Sequence, residues 1–222
     1  MLIRADMTQR ALVLPGDYQF APSPLPGVQR MMLDRVGGEV ACATSIVDYA
    51  PGARFDAHDH DGGEEILVLS GEFADEHGVY PAGSYLRNPP GSRHAPYSRS
   101  GCRLLVKLRQ FAPDDAATVR IDTTTAGWRP GLVPGLQVLP LHQHGAEHTA
   151  LVRWAPGTLF QPHRHPGGEE ILVLQGVFCD ESGSYPAGSW LRNPCGSQHS
   201  PYTGAEGALI YVKVGHLAPP HG

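Results

Sequence analysis

The stretch from His58 to Leu69 reads HDHDGGEEILVL, and the stretch from His163 to Leu174 reads HRHPGGEEILVL. Each places two histidines and a pair of glutamates directly before an apolar run of strand length. Side chains at positions i and i+2 of a strand share a face, so the two histidines of each pair point the same way. The glycines that follow them predict a tight turn. The pattern therefore predicts a polar site where two strands meet.

Both stretches belong to a longer internal repeat. Residues 51–97 and 156–202 align without a gap at an offset of 105, and about 32 of the 47 positions are identical. Two copies of a unit of roughly 100 residues indicate a tandem pair of domains rather than a solenoid. The polar and then Pro/Gly-rich segment 122–135 has the composition of a linker. We predict an N-terminal domain over 1–121 and a C-terminal domain over 122–222.

The repeated unit has the features of an all-β fold. Its apolar runs are short and rich in Val, Ile, Leu and aromatic residues, and Gly or Pro pairs separate them. No helical apolar stripe of ten or more residues stands out. The predicted strands of the first copy lie within residues 39–50, 64–75, 83–88 and 102–111. Many short strands require a barrel or a sandwich to remove exposed sheet edges.

Composition excludes several classes of function. The chain has 222 residues and a net charge of −5, so it lacks the basic surplus that nucleic-acid binding requires. It contains no apolar run long enough for a membrane span, and its first residues do not resemble an export signal. Its four cysteines form no CxxC pair and fit no zinc-finger spacing. Because no export signal is recognised, we expect reduced thiols and a cytoplasmic protein.

Candidate metal ligands recur in both copies. His94 follows Glu64 by 30 residues and joins His58 and His60 in a set of three imidazoles and one carboxylate. Burying such groups in a barrel is costly unless something binds them, and they suit a divalent metal ion. The second copy repeats each member of the set, as His163, His165, Glu169 and His199.

These residues resemble the two cupin motifs. Motif 1, G(x)5HxH(x)3–4E(x)6G, is matched from Gly52 to Gly71, and motif 2, G(x)5PxGxxH, is matched from Gly83 to His94. The sequence from Gly62 to His94 is most similar to the cupin domain of the ChrR anti-sigma factors. The resemblance implies two RmlC-like jelly-roll barrels (double-stranded β-helices), each with one divalent ion of zinc, iron or nickel. It covers about half of the chain directly.

The resemblance also favours one glutamate of each pair as the ligand. Only Glu64 leaves the six residues that motif 1 has before Gly71, and it shares a strand face with Ile66. Glu65 and Glu170 are then expected on the other face, with Arg87 or Arg192 as partners.

Two functions follow from the resemblance. The first is binding or sensing of a small molecule at the metal site of each barrel. The alternative is a non-haem metal-dependent dioxygenase that acts on a diketone or a phenolic ketone, because a 3-His-1-Glu set leaves open positions on an octahedral metal. Anti-sigma activity is less favoured, because the HxxxCxxC motif of the sigma-binding zinc domain is absent from this sequence.

Three further side chains are pocket candidates. Tyr97 and Tyr202 follow the last histidine of each set by three residues, and packed aromatics are the alternative. Cys195 replaces Pro90 in the loop before His199 and is either a thiol near the second metal or an inert loop residue. The sequence assigns no catalytic residue. It also leaves open whether the chain acts as a monomer or as a homodimer.

Overall fold

The computed structural model describes residues 1–38 and 40–217. The described chain is almost entirely β-strand and turn, with one 3₁₀ turn at Pro15–Asp17, which confirms the all-β prediction. No helix in this part of the chain is long and apolar enough to span a membrane.

Strands are numbered in chain order. The first twelve are β1 (Leu2–Ile3), β2 (Ala11–Val13), β3 (Ala21–Pro22), β4 (Val28–Gly37), β5 (Ala41–Tyr49), β6 (His58–His60), β7 (Glu64–Asp75), β8 (Gly78–Pro81), β9 (Ser84–Asn88), β10 (Ser92–His94), β11 (Cys102–Leu108) and β12 (Val119–Asp122). The others are β13 (Arg129–Pro130), β14 (Leu136–His144), β15 (Glu147–Trp154), β16 (His163–His165), β17 (Glu169–Asp180), β18 (Gly183–Pro186), β19 (Trp190–Asn193), β20 (Ser197–His199) and β21 (Tyr202–Val214).

Contacts group the chain into two compact units. The first unit comprises residues 1–5 and 19–126, and the second comprises residues 6–18 and 127–222. The predicted limits 1–121 and 122–222 remain a proposal about which segments fold independently. The compact units differ from those limits in two respects, since the segment 6–18 packs with the second unit and residues 122–126 belong to the first.

The sheets of the two units have the same strand order. In the first unit the main sheet runs β1-β4-β5-β11-β7-β9-β12, and β6 pairs with β10 in a small second sheet. In the second unit the main sheet runs β13-β14-β15-β21-β17-β19-β2, and β16 pairs with β20. All of these pairings are antiparallel, and the four strand regions predicted in the first repeat are present as β5, β7, β9 and β11.

Each unit has its own apolar core, built from alternate residues of its long strands. Ile66 and Val68 of β7 pack with Leu104 and Val106 of β11 in the first core. The second core contains Leu136, Trp154, Ile171, Val173, Phe178, Tyr185, Leu191, Ala208 and Ile210. Burying one such aliphatic side chain contributes about 1.5–3 kcal/mol. Glu64 precedes Ile66 by two residues, so this alternation carries its carboxylate to the core side of β7.

The glycine that ends motif 1 is required by the backbone. Gly71 has φ +73°, and a Cβ at this position would overlap the carbonyl oxygen of Gly101. Gly176 has φ +69° and approaches Gly207 in the same way. A side chain would therefore separate β7 from β11, or β17 from β21, beside the core.

Candidate metal centres

The small two-stranded sheets bring the histidines of each motif together. In the pairing of β6 with β10, His58 lies opposite His94, and Arg93 lies opposite Asp59. His60 is buried on the same face as His58, as the i, i+2 spacing predicted, whereas Asp59 is exposed on the other face, where Arg93 pairs with it. The pairing of β16 with β20 repeats this register in the second unit, with His163 opposite His199.

In the first unit the ring nitrogens converge beside one carboxylate. His60 Nε2 lies 2.8 Å from His94 Nε2, and Glu64 Oε2 lies 3.3 Å from the first and 3.4 Å from the second. The ring of His58 lies 4.8 Å from that of His60 and 5.1 Å from that of His94, between centroids. One nitrogen from each of the three histidines lies within 4.8 Å of the others.

The second unit has the same arrangement. His165 Nε2 lies 3.1 Å from His199 Nε2, and the carboxylate oxygens of Glu169 lie 3.5 Å from both nitrogens. One ligand atom from each of these three residues and from His163 falls in a set whose members all lie within 4.8 Å of one another. The structure therefore joins all four predicted residues of the second unit in one set. In the first unit the set comprises the three histidines, and Glu64 contacts two of them, His60 and His94.

Burial and neighbouring charges set the protonation of the imidazoles. Burial lowers the pKa of His60. Burial and the adjacent rings of His199 and His163 lower the pKa of His165 to about 3. Burial also opposes protonation of His94 and His199, but the nearby carboxylates outweigh it and raise the pKa of both. His60 and His165 are thus held neutral, which is the form of imidazole that binds a metal ion.

A second layer of residues orients the ligands, and the sequence analysis did not find it. His94 Nδ1 lies 3.3 Å from Asp75 Oδ2, while Asn88 Nδ2 donates to Glu64 Oε2 at 3.0 Å. Arg120, on β12, donates to Asn88 Oδ1 at 2.6 Å, so both ends of the Asn88 amide are engaged. Such partners fix the orientation of ligating groups and tune their basicity.

The second unit contains an equivalent layer. Asn193 Nδ2 donates to Glu169 Oε2 at 2.9 Å, and Asp180 Oδ2 lies 3.6 Å from His199 Nδ1. Arg10 donates to Asn193 Oδ1 at 3.1 Å and to Asp180 Oδ2 at 3.3 Å. The repetition of Asp75 as Asp180, and of Asn88 as Asn193, at the ligand offset of 105 was the sequence signal for this layer.

The other predicted pocket residues lie apart from the ligand groups. Tyr97 is half-buried, bridges Arg54 and Ala74 through the backbone and lies under the guanidinium of Arg99. Tyr202 is 38% exposed at the start of β21. Cys195 is an exposed free thiol and belongs to neither ligand group among the described residues. Their role in a pocket remains a prediction.

The predicted separation of the paired glutamates is confirmed in the first unit. Arg87 donates to Glu65 Oε2 at 2.9 Å, and both side chains are almost fully buried on the opposite face of β7 from Glu64. In the second unit, Trp190 Nε1 donates a hydrogen bond to Glu170 Oε1 at 2.8 Å. The other carboxylate oxygen, Oε2, lies 3.3 Å from His216 Nε2.

Both groups fit a divalent metal ion. Ligand bonds of about 2.0–2.1 Å place neighbouring donors about 2.8–3.0 Å apart in octahedral coordination and about 3.3–3.4 Å apart in tetrahedral coordination. The observed separations of 2.8–3.4 Å in the first unit and 3.1–3.5 Å in the second match this spacing. Imidazole nitrogens with one carboxylate suit zinc, iron or nickel.

The profile of the ChrR cupin-like domain matches residues 8–112 and again residues 116–218. The chain belongs to the ChrR cupin-like family. Its two units are therefore tandem cupin domains, as the motifs implied. No curated protein matches this cupin chain in sequence.

Solved structures support the same fold. A proposed dioxygenase from Nostoc punctiforme is 16% identical with a TM-score of 0.79, covering 93% of this chain and 82% of that protein. The nickel(II) complex of the pirin YhhW from Escherichia coli is 16% identical with a TM-score of 0.64, covering 93% and 99%. The formate complex of oxalate decarboxylase from Lactobacillus farciminis is 15% identical with a TM-score of 0.61, covering 94% and 86%. At these identities the likeness establishes the cupin fold alone.

Replacing Asp75 by alanine is expected to lower the metal affinity of the first barrel by about 10–100-fold, because His94 loses the partner of its Nδ1. Titration of the purified protein with a competing chelator measures this change. Glu76→Ala is the matched control. Glu76 is exposed, and its carboxylate accepts a hydrogen bond from the Ala95 backbone N–H rather than from a candidate metal-binding histidine. Unchanged affinity in Asp75→Ala would show that this carboxylate does not support the site.

Proposed function

We propose that each barrel holds one divalent metal ion through three histidines and one glutamate, and that the chain binds or senses a small molecule at these centres. The observation that carries the proposal is the convergence of His60, Glu64 and His94 within 2.8–3.4 Å, repeated in the second barrel. Buried imidazoles and a carboxylate that converge in both barrels are costly to desolvate, and a bound metal ion would offset that cost.

The chain supplies the ligands and an enclosed space beside them. A cavity of about 260 Å³ in the first barrel is lined in part by His58, His60 and Glu64. A bound divalent ion would supply Lewis-acid polarisation of a ligand oxygen. The protein residues lower the pKa of His60, orient the carboxylate through Asn88 and line the space beside the ligands with both apolar and charged side chains.

The cavity of the first barrel favours binding over acid–base catalysis. Burial raises the pKa of Tyr49 well above its usual value, so this cavity-lining phenol stays protonated. Asp61 borders the cavity and pairs with Arg109, while the side chain of Asp59 is exposed on the outer face of β6 beside Arg93.

A metal-dependent dioxygenase acting on a diketone or a phenolic ketone is the second candidate. Its support is the donor set, because three imidazoles and one carboxylate leave two positions of an octahedral metal for substrate and oxygen. The likeness to a proposed dioxygenase is consistent with this chemistry at the level of fold.

Anti-sigma activity remains the least favoured function. A small molecule is the proposed partner, and a cytoplasmic location without nucleic-acid or membrane partners remains an expectation.

Elemental analysis of untagged protein, purified without oxygen or chelators, tests the proposal. About two ions per chain are expected. Tightly held zinc would favour binding or sensing, whereas iron or nickel followed by oxygen uptake with 2,4-pentanedione or 2-hydroxyacetophenone would favour the dioxygenase. A chain that purifies free of metal and cannot be loaded with zinc, iron or nickel would contradict both.

A further inference from the structure

Apolar residues and three arginines line the cavity of the first barrel; of the arginines, Arg109 pairs with Asp61 and Arg35 donates to the Gly38 carbonyl. Arg30 lines the cavity together with Val28, Val47, Tyr49, Phe55 and Ile66, which belong to or pack against the apolar core of this unit. The same cavity contacts His58, His60 and Glu64 of the candidate metal centre. The volume of about 260 Å³ lies below the usual range of pockets for drug-sized molecules, so a bound molecule would be small.

Strand geometry directs Arg30 towards this interior. Arg30 follows Val28 by two residues on β4 and therefore shares its face. In the pairing of β4 with β5, Arg30 lies directly opposite Val47. Val28 and Val47 are both members of the buried core, and Arg30 itself is half-buried. An arginine thus occupies a position where the pattern of the strand calls for an apolar residue.

The charge of Arg30 is not balanced within the described part of the chain. No carboxylate there lies within ion-pair distance of its guanidinium, and it makes no hydrogen bond to the protein. The acids near the cavity have other partners. Glu64 belongs to the candidate metal centre, and Asp61 pairs with Arg109. The exposed Asp59 pairs with Arg93 on the outer face of β6. Burial and the positive charge of Arg35 lower the pKa of Arg30, which shows that its surroundings disfavour the cation.

The second barrel lacks this cation. Val138 lies opposite Val152 in the pairing of β14 with β15, as Arg30 lies opposite Val47. Val47 and Val152 are related by the repeat offset of 105, so Val138 is the structural equivalent of Arg30. The metal ligands recur in both barrels, whereas the cation beside them occurs in one. The difference therefore concerns what each site binds.

We propose that the first barrel binds a small organic acid whose carboxylate pairs with Arg30, and that the second barrel does not select for negative charge. The inference rests on the proposed metal function, because the acid would occupy the cavity beside the metal ligands. A guanidinium forms two parallel hydrogen bonds to a carboxylate, and this match favours a carboxylate over other small anions. Exclusion of water by the apolar walls strengthens the pair.

Calorimetric titration of the metal-loaded full chain tests this assignment. The probes are pyruvate, succinate and benzoate, each compared with its neutral amide, together with inorganic phosphate. At least one carboxylate is expected to bind with one molecule per chain and at least about tenfold more tightly than its amide. Arg30→Val, which installs the residue of the second barrel, is expected to abolish that preference, and Arg30→Lys to retain part of it.

The reciprocal variant and the metal content complete the test. Val138→Arg is expected to add a second carboxylate site, and both Arg30 variants should keep the metal content of the wild type. Equal binding of acids and amides, tighter binding of phosphate than of every carboxylate, no binding of any acid, or unchanged binding by Arg30→Val would overturn the inference. Failure of the wild type to hold metal would instead overturn the proposed function, so the two failures are distinguishable.

Discussion

Replacement of Glu64 by alanine is expected to reduce the bound metal from about two ions per chain to about one. Glu64 supplies the carboxylate of the first donor group, and its Oε2 lies 3.3 Å from His60 Nε2 and 3.4 Å from His94 Nε2. Loss of the charged donor should weaken this site by more than the roughly 10–100-fold that outer-layer changes cause. Metal content after dialysis, measured by elemental analysis, records the loss.

Variants elsewhere in the chain make this test specific. Glu169→Ala should remove the other ion, and the double variant should retain none, because the donor groups are separate. His77→Ala is the control, since His77 belongs to neither donor group in the described residues. Retention of two ions by Glu64→Ala would show that the carboxylate is not a ligand.

Replacement of Arg87 by methionine is expected to destabilise the protein by about 3–5 kcal/mol. Arg87 is fully buried and pairs with both Glu65 and Asp115, which are themselves almost fully buried. The guanidinium carbon of Arg87 lies 3.9 Å from the centroid of the Phe111 ring. Methionine fills similar space but leaves two buried carboxylates without their cation. The shift in the midpoint of urea-induced unfolding, followed by circular dichroism, measures the cost.

An exposed pair on the same unit provides the comparison. Arg93 and Asp59 lie 3.0 Å apart with side chains 57% and 66% exposed. Arg93→Ala should change stability by no more than about 1 kcal/mol, because solvent screens both charges. A midpoint for Arg87→Met equal to that of Arg93→Ala would mean that the buried cluster contributes no net stability.

Local pattern was sufficient for the repeat, for four strand regions of the first copy and for the candidate ligand set. The spacing of His58 and His60 determines a shared strand face, and the alternation Glu64, Ile66, Val68 determines which glutamate faces the core. These features follow from the period of a strand and need no knowledge of distant contacts. The matched second copy extended the same prediction to the second barrel.

Only the tertiary structure decided what surrounds the ligands. Asn88 reaches the site because β9 pairs with β7 and lies opposite Glu64, and Asp75 reaches it from the far end of β7, where it contacts His94. Arg120 and Arg10 come from segments outside the aligned repeat. Arg30 lies on a strand in which polar and apolar residues are about equally common, and its direction becomes clear only from its register with Val47. Pairing between residues distant in sequence depends on which sheet edges meet, and the local periodicity of a strand carries no information about that choice.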